Sequence, residues 1–158
     1  MGLILTPGDA AFNPTAGNAG PSPCRLIAPF PERAWPRVWV WIEDFRDRVM
    51  DDFSPQTLAA FVEQRIASQE FEMTYGVERD GEMGGLITLQ PLNPYLASAH
   101  CLFKKSFWGA ETTMAAVATV FASVFEMGFG KITSIAFADN HQILAMVRKL
   151  GGNKEWHL

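Results

Sequence analysis

The spacing of apolar residues predicts a strand and then two helices in the first part of the chain. The segment 24–30 is short and apolar, as expected for a strand. Residues 35–49 carry apolar side chains at helical spacing, and Pro36 is compatible with that helix only because it falls in the first turn. Ser54 before Pro55 is typical of a helix start, so we predict the N-cap of the second helix at Ser54.

A period of two follows and predicts antiparallel sheet. Apolar and polar side chains alternate over residues 71–78, which indicates a strand with one buried face. Asp80 and Gly81 then predict a two-residue hairpin turn, because both central positions of such a turn have positive φ. The returning strand contains Gly84 and Gly85, which indicate a bulge or the close approach of another group.

The rest of the pattern predicts a strand, a helix, a strand and a helix, over residues 98–105, 109–127, 131–138 and 141–150. The complete order is β, α, α, β, β, β, α, β, α, with a βαβ crossover near the end. We therefore predict an α+β fold, a mixed and mainly antiparallel sheet flanked by helices.

The first 23 residues differ in composition from the rest, since they are rich in glycine, proline and alanine. Such a segment buries too little apolar surface to offset its ordering entropy. We predict a flexible arm over residues 1–23 and a single domain over residues 24–158. The arm is either a tail without a role or a segment that becomes ordered on a partner.

Charge and cysteine content exclude several classes of function. The chain has 158 residues and a net charge of −4, and it has no basic block that could follow a phosphate backbone, so we expect no nucleic-acid partner. Cys24 and Cys101 match no metal-ligand spacing, so we expect free thiols and no metal. No run of about 18 apolar residues occurs, which argues against a membrane span and for a cytoplasmic protein.

Two segments resemble motifs of the GNAT N-acetyltransferases, in the branch that modifies protein N-termini. FWGAETTMAA at 107–116 resembles the Trp-Gly-x-Gly-x-Ala loop and helix start, and FADNHQILAMVRKLGG at 137–152 resembles the Asn-x-x-Ser…Lys-Leu-Gly-Phe ending of the next strand and helix. The resemblance extends from about Glu70 to Trp156. It implies a GNAT-like fold, acetyl-CoA as cofactor and N-acyltransferase activity.

The resemblance also implies where coenzyme A would bind. The opening amides of a helix lack partners and lie at the positive end of its dipole, so they suit a diphosphate. In the family, the pantetheine arm pairs with the strand before that helix. The implied cofactor-binding residues are Leu102, Phe103, Lys104, Gly109, Ala110, Glu111, Thr112, Thr113 and Asn140.

This sequence departs from the family pattern at several of those positions. Glu111 stands at the second glycine, where its carboxylate repels a diphosphate by about 1 to 4 kcal/mol at contact, depending on the dielectric. The alternative is that Glu111 only complements the helix dipole, and Asn140 can likewise be a helix N-cap. Ile143 replaces the serine and Gly152 the closing aromatic residue. We expect weak binding of acetyl-CoA.

Catalytic residues are harder to assign. Many family members protonate the leaving thiolate with a tyrosine, and that position is Val147 here. His100, on a predicted strand, is the candidate general base, although it could instead be a packed histidine. Glu72 and Glu78 are alternatives, although each is more typical of a solvated strand face.

Only six residues follow Gly152, so we expect most of the family's C-terminal strand pair to be missing. The acceptor side is then open, shortened or completed by another chain, and an exposed sheet edge favours a protein partner or a homo-oligomer. Two functions remain: an N-acyltransferase with a weakened coenzyme site, or a non-catalytic structural or assembly protein. Short GNAT-like chains with such arms resemble products of tailed phages, which would place this protein in a virion.

Overall fold

The computed structural model describes residues 2–5, 24–44, 46, 54–108, 110–135, 141–150 and 153–155. The strands are β1 Gly2–Leu5, β2 Arg25–Ile27, β3 Met73–Arg79, β4 Glu82–Pro91, β5 Leu96–Phe103, β6 Lys131–Ile135 and β7 Asn153–Glu155. The helices are α1 Trp35–Glu43, α2 Leu58–Ser68, α3 Ala110–Glu126 and α4 His141–Lys149. From β2 to α4 the order of elements is the predicted one.

The strands form a seven-stranded sheet in the order β2-β3-β4-β5-β6-β1-β7. Among the described strands, β5 and β6 pair in parallel and every other neighbouring pair is antiparallel. The parallel pair follows from the crossover, because α3 carries the chain from the end of β5 back to the start of β6. The prediction of a mixed, mainly antiparallel sheet is confirmed.

Helices cover the sheet on both faces. Helix α3 packs its small and branched side chains on one face, against Ile87, Leu89, Ala97 and Ala99. Helices α1 and α2 pack on the opposite face, where Trp35 is fully buried and contacts an aromatic cluster. Because successive residues of a strand point to opposite faces, these two cores assign the even-numbered residues of β5 to the α1–α2 face.

The hairpin between β3 and β4 has the predicted turn and bulge. Asp80 and Gly81 have φ of 53° and 78°, as the two-residue turn requires. The register shifts between Val77↔Gly85 and Glu78↔Met83, so Gly84 is the extra residue of a bulge. A Cβ on Gly84 would lie 2.4 Å from the ring of Phe107, so the predicted close approach of another group is confirmed as well.

The predicted N-cap at Ser54 is wrong. Helix α2 begins at Leu58, and the Thr57 hydroxyl accepts a hydrogen bond from the Ala60 amide at 3.2 Å. Thr57 offers the same capping chemistry as Ser54, and it stands directly before the apolar stripe that packs on the sheet.

Four residues of the predicted arm lie in the sheet, so for Gly2–Leu5 the expectation of an arm outside the domain is wrong. Strand β1 pairs with β6 on one side and with β7 on the other. The edge of β6 offers unpaired backbone groups, and an apolar segment such as Leu3 to Leu5 is suited to cover them. Residues 6–23 lie outside the described part of the chain. Strand β7 has three residues.

Strand β1 should contribute measurably to stability. We expect Ile4→Pro to lower the melting temperature, because proline removes an amide from the ladder, at a cost of about 1 to 3 kcal/mol for an unsatisfied partner. Ile4 pairs with Thr133 of β6 and with Asn153 of β7, so loss of its amide removes a hydrogen bond to one of these two strands. Thermal unfolding followed by circular dichroism would show this, with Ile4→Val as control. Equal melting of the proline variant and the control would contradict the placement of β1.

Candidate functional site

In the part of the chain that the structure describes, the two parallel strands pair only over a short section. The ladder joins Leu96↔Lys131, Ala97↔Ile132 and Ser98↔Thr133, with no further pair up to Ile135. Strand β5 continues to Phe103 and β6 to Ile135. The space between the strands beyond Ser98 and Thr133 is here named the β5–β6 gap.

Backbone groups of β5 face this gap at alternate positions. Lys104 N donates to Gly84 O at 2.9 Å. Lys104 and every second residue before it, starting with Leu102, therefore direct their backbone hydrogen bonds to β4. The N–H and C=O groups of Ala99, Cys101 and Phe103 therefore point towards β6. Of the three predicted strand positions, only Phe103 presents its backbone to the gap. The expectation that Leu102 and Lys104 offer their backbone to coenzyme A is wrong. Successive residues of a strand direct their N–H and C=O groups to opposite neighbouring strands, and these two residues face β4.

Side chains at this end of β5 are already engaged. The Trp108 indole donates to Phe103 O at 2.7 Å. Leu102 packs on the α1–α2 face, and the Lys104 ammonium pairs with the Glu82 carboxylate. The last pair, Ser98↔Thr133, engages the Ala99 N–H with the Thr133 carbonyl. The polar groups that β5 offers to the gap are therefore the Ala99 carbonyl and the backbone of Cys101, which sequence reasoning missed.

The first turn of α3 lies at the open end of the gap. Parallel strands begin at the same end of a sheet, so α3 must start where β5 ends and run back to where β6 starts. Helix α3 begins at Ala110, and its opening amides have no intrahelical acceptor. Gly109 and Asn140, two predicted site residues, lie outside the described residues.

The two threonines of this turn brace the helix start. Thr113 Oγ1 donates to Phe107 O at 2.9 Å, and Thr112 is buried. Arg79 joins the same region from β3, because its Nη1 donates to Thr112 Oγ1 at 3.2 Å and its Nη2 to Ser106 O at 3.0 Å. Arg79 thus fixes the loop relative to α3. Sequence reasoning missed this residue because nothing local marks it.

Glu111, the residue that departs from the family pattern, is exposed in the first turn of α3. Its neighbour Thr112 faces the protein, so Glu111 and Thr112 lie on different sides of the helix.

A polar patch lies on the α1–α2 face, level with the end of the β5–β6 ladder. It consists of Thr74, Thr88, Ser98 and His100. Thr74 pairs with Thr88 across β3 and β4, and Thr88 pairs with His100 across β4 and β5. Ser98 Oγ lies 3.4 Å from His100 Nε2. Thr74, Thr88 and Ser98 are buried, although buried polar side chains are uncommon among the described residues. His100 is exposed at the edge of this patch, beside the gap.

The surroundings of His100 favour its neutral form. Although part of the His100 side chain is open to solvent, partial desolvation of the ring lowers the pKa of the imidazole below its ordinary value of 6.5; Glu72 opposes this change, and Arg65 adds to it. A neutral imidazole at pH 7 can accept a proton. Glu72 is paired with Arg65 at 2.5 Å, and Glu78 pairs with Arg25 of β2 at 3.0 Å. His100 is therefore the stronger candidate for a base.

Two other residue types can be excluded from catalysis. Val147 is buried, and its aliphatic side chain has no proton to donate to a leaving thiolate. Burial raises the pKa of the Cys101 thiol to about 12, so Cys101 is not a thiolate nucleophile. In the ranges that the structure describes, no three metal-binding side chains come together, and no helix is long and apolar enough to cross a membrane.

Comparisons with solved structures identify the fold. A spermidine N-acetyltransferase from Vibrio cholerae, in complex with CoA and spermine, matches with a TM-score of 0.75 and 14% identity over 87% of this chain and 85% of that chain. An acetyltransferase from Salmonella typhimurium that modifies the N-terminal serine of ribosomal protein L7/L12 matches with a TM-score of 0.67 and 16% identity, over 82% and 80%.

The microcin C7 self-immunity acetyltransferase, in complex with acetyl-CoA and AMP, matches with a TM-score of 0.67 and 14% identity, over 90% and 85% of the two chains. No protein-family model and no curated protein sequence matches. The chain therefore has the fold of the GNAT acetyltransferases, which confirms the fold that the resemblance in the sequence implied.

Proposed function

We propose that the protein binds acetyl-CoA and transfers its acetyl group to an amine. The observation that carries this proposal is the β5–β6 gap, which opens beside His100 and beneath the first turn of α3. Backbone groups of β5 that lie beyond the ladder, a helix start and an imidazole with a lowered pKa at one end of the sheet support this proposal. The solved structures of this fold include acetyltransferases in complex with CoA or acetyl-CoA.

The residues at the gap fit the chemical parts of acetyl-CoA. The Ala99 carbonyl and the backbone of Cys101 can pair with the amide groups of a pantetheine arm, as a further strand would. The opening amides of α3 suit its diphosphate. The bound coenzyme would supply an acetyl thioester, and the protein would hold that thioester beside His100.

His100 would take the proton that an ammonium must lose before it becomes a nucleophile. Because the imidazole is neutral at pH 7, it is ready to accept that proton without a prior loss of its own. Val147 supplies no acid for the leaving thiolate, so water is the proton donor in this proposal.

Glu111 should weaken the binding of acetyl-CoA. We expect an affinity weaker than micromolar for the unmodified protein, and an affinity at least about five-fold higher for Glu111→Gln, since about 1 kcal/mol of repulsion is removed even in water. Titration calorimetry with acetyl-CoA would measure both values. Glu126→Gln, at the other end of α3, is the matched control and should change nothing. Submicromolar binding by the unmodified protein would contradict the expectation of weak binding.

A second candidate function is a non-catalytic protein that binds a partner or assembles, as the sequence suggested. It is favoured by an apolar groove between α1 and α2, whose lining includes Leu58, Val62 and Ile66. Leu58 and Ile66 are exposed. Failure of acetyl-CoA to bind even Glu111→Gln would favour this candidate over the enzyme, and assembly into a virion would be one form of it.

A further inference from the structure

One arginine side chain joins the loop before α3 to the first turn of that helix. Arg79 Nη1 donates to Thr112 Oγ1 at 3.2 Å, and Nη2 donates to Ser106 O at 3.0 Å. The same guanidinium lies 4.7 Å from the centre of the Phe107 ring, which is fully buried. These contacts lie on both sides of the junction between loop and helix, so Arg79 can hold the two segments in one arrangement.

The β3–β4 hairpin holds Arg79 in place. Arg79 is the last residue of β3 and pairs with Glu82 across the tight turn at Asp80 and Gly81. The Asp80 carboxylate lies 3.9 Å from Arg79 Nε, but the Asp80 side chain is 94% exposed, so this ion pair contributes little. The contacts with the loop and α3 are therefore the main restraints on the Arg79 guanidinium.

Arginine is the side chain that suits this position. Its planar guanidinium carries donors that point in different directions, so it reaches acceptors on two segments and still places a face on an aromatic ring. Lysine has the charge but not the planar fork. A second link between loop and helix is the hydrogen bond from Thr113 Oγ1 to Phe107 O at 2.9 Å. The direction of the opening amides of α3 is thus set by the protein itself.

We propose that Arg79 is a positioning residue for the coenzyme, and that it holds the opening amides of α3 in the direction that binds the diphosphate of acetyl-CoA. Strand β4 lies between β3 and β5, so Arg79 acts through the loop and α3 rather than from the β5–β6 gap. Donors that are already in place bind an anion without the cost of ordering them. This inference rests on the proposed function, because it concerns the same coenzyme site.

The binding experiment introduces changes at Arg79 into the Glu111→Gln protein, the parent, in which we expect tighter binding. Titration calorimetry with acetyl-CoA should show an affinity about 10- to 100-fold lower for Arg79→Ala, as displaced binding groups can cause. Arg79→Lys keeps the charge and can reach one acceptor, so its affinity should lie between those of Arg79→Ala and the parent.

Arg25→Gln is the matched control for Arg79→Ala. Arg25 carries the same charge on the neighbouring strand, but its side chain is 71% exposed and pairs with Glu78, so this variant should bind as the parent does. Equal affinities of Arg79→Ala and the parent, or an equal loss in Arg25→Gln, would overturn the inference alone. Absence of binding by the parent would overturn the proposed function and this inference together.

A rescue experiment distinguishes positioning from a general loss of stability. Millimolar guanidinium chloride is too dilute to unfold a protein, and its cation can occupy the space that Arg79→Ala leaves. It should restore part of the affinity for acetyl-CoA in Arg79→Ala and have no effect on Arg25→Gln. A loss of affinity that guanidinium leaves unchanged would overturn the inference, and thermal unfolding would show that both variants are folded.

The position of the loop can also be followed without coenzyme. The Trp108 indole donates to Phe103 O at 2.7 Å, so the NMR signal of its N–H reports on the loop before α3. This signal should shift in Arg79→Ala, return towards its original position with guanidinium and stay in place in Arg25→Gln. An unshifted signal in Arg79→Ala would contradict the role of Arg79 in holding the loop.

Discussion

Replacing His100 by glutamine should lower kcat/KM for acetyl transfer by about 100- to 10,000-fold, the range that a positioned general base contributes. Glutamine keeps hydrogen-bonding capacity towards Ser98 but cannot accept the proton of an ammonium. Binding of acetyl-CoA should remain within about two-fold, because the coenzyme is held by backbone groups of β5 and α3. Thiol release and titration calorimetry on the same preparations would test both statements.

The pH profile identifies His100 as the group responsible. Desolvation lowers its pKa, so the rising limb of kcat/KM should have an inflection below 6.5, with the neutral imidazole favoured at higher pH. Glu72 raises this pKa, so Glu72→Gln should move the inflection to lower pH. The acceptor amine must also lose its proton, which adds a second inflection to the profile at about pH 8 for an α-amine. If the inflection below pH 6.5 remained in His100→Gln, the assignment to His100 would be wrong. Glu78→Gln is the control for Glu72→Gln, because it also removes a carboxylate that is paired with an arginine.

Gly84→Val should destabilise the protein and impair coenzyme binding together. A Cβ at Gly84 would lie 2.4 Å from the Phe107 ring, which is fully buried and lies just before α3. Overpacking of this kind costs about 1 to 3 kcal/mol, and for a chain of this size each kcal/mol lowers Tm by about 2 to 4 °C. Movement of Phe107 also displaces the carbonyl that Thr113 uses to fix the start of α3.

The matched control for this variant is Gly81→Asn, in the neighbouring turn. Gly81 has a positive φ of 78° but open space around its Cα, and asparagine tolerates that conformation. Gly81→Asn should melt close to the unmodified protein and bind acetyl-CoA equally well. If Gly84→Val melted like Gly81→Asn, the close contact between β4 and the loop before α3 would not exist in solution.

Much of the fold was predictable because local physics determines it. The alternation before Asp80 and the positive φ at that turn predict the β3–β4 hairpin without any tertiary information. The crossover through α3 follows from the order of elements, and with it the position of the helix start beside the end of β5. His100 could be assigned as a candidate because few other residues on the central strands titrate near neutral pH.

Features that depend on distant contacts were not predictable. Nothing local to Gly2–Leu5 shows that these residues pair with β6, about 130 positions later, since the partner of a strand depends on the whole sheet. Arg79 is similar, because its contacts with Thr112 and Ser106 cross from β3 to the loop before α3. The direction of the Leu102 and Lys104 amides depends on the register with β4, which a sequence pattern does not specify.

Hydrogen exchange with and without acetyl-CoA is the most direct test of the proposed coenzyme site. The account predicts added protection at the amide of Cys101 and in the first turn of α3, with no change in α1 and α2. Glu111→Gln would be used if the unmodified protein binds too weakly to be saturated. Protection confined to the groove at Leu58 and Ile66, or no added protection anywhere at saturating acetyl-CoA, would contradict it.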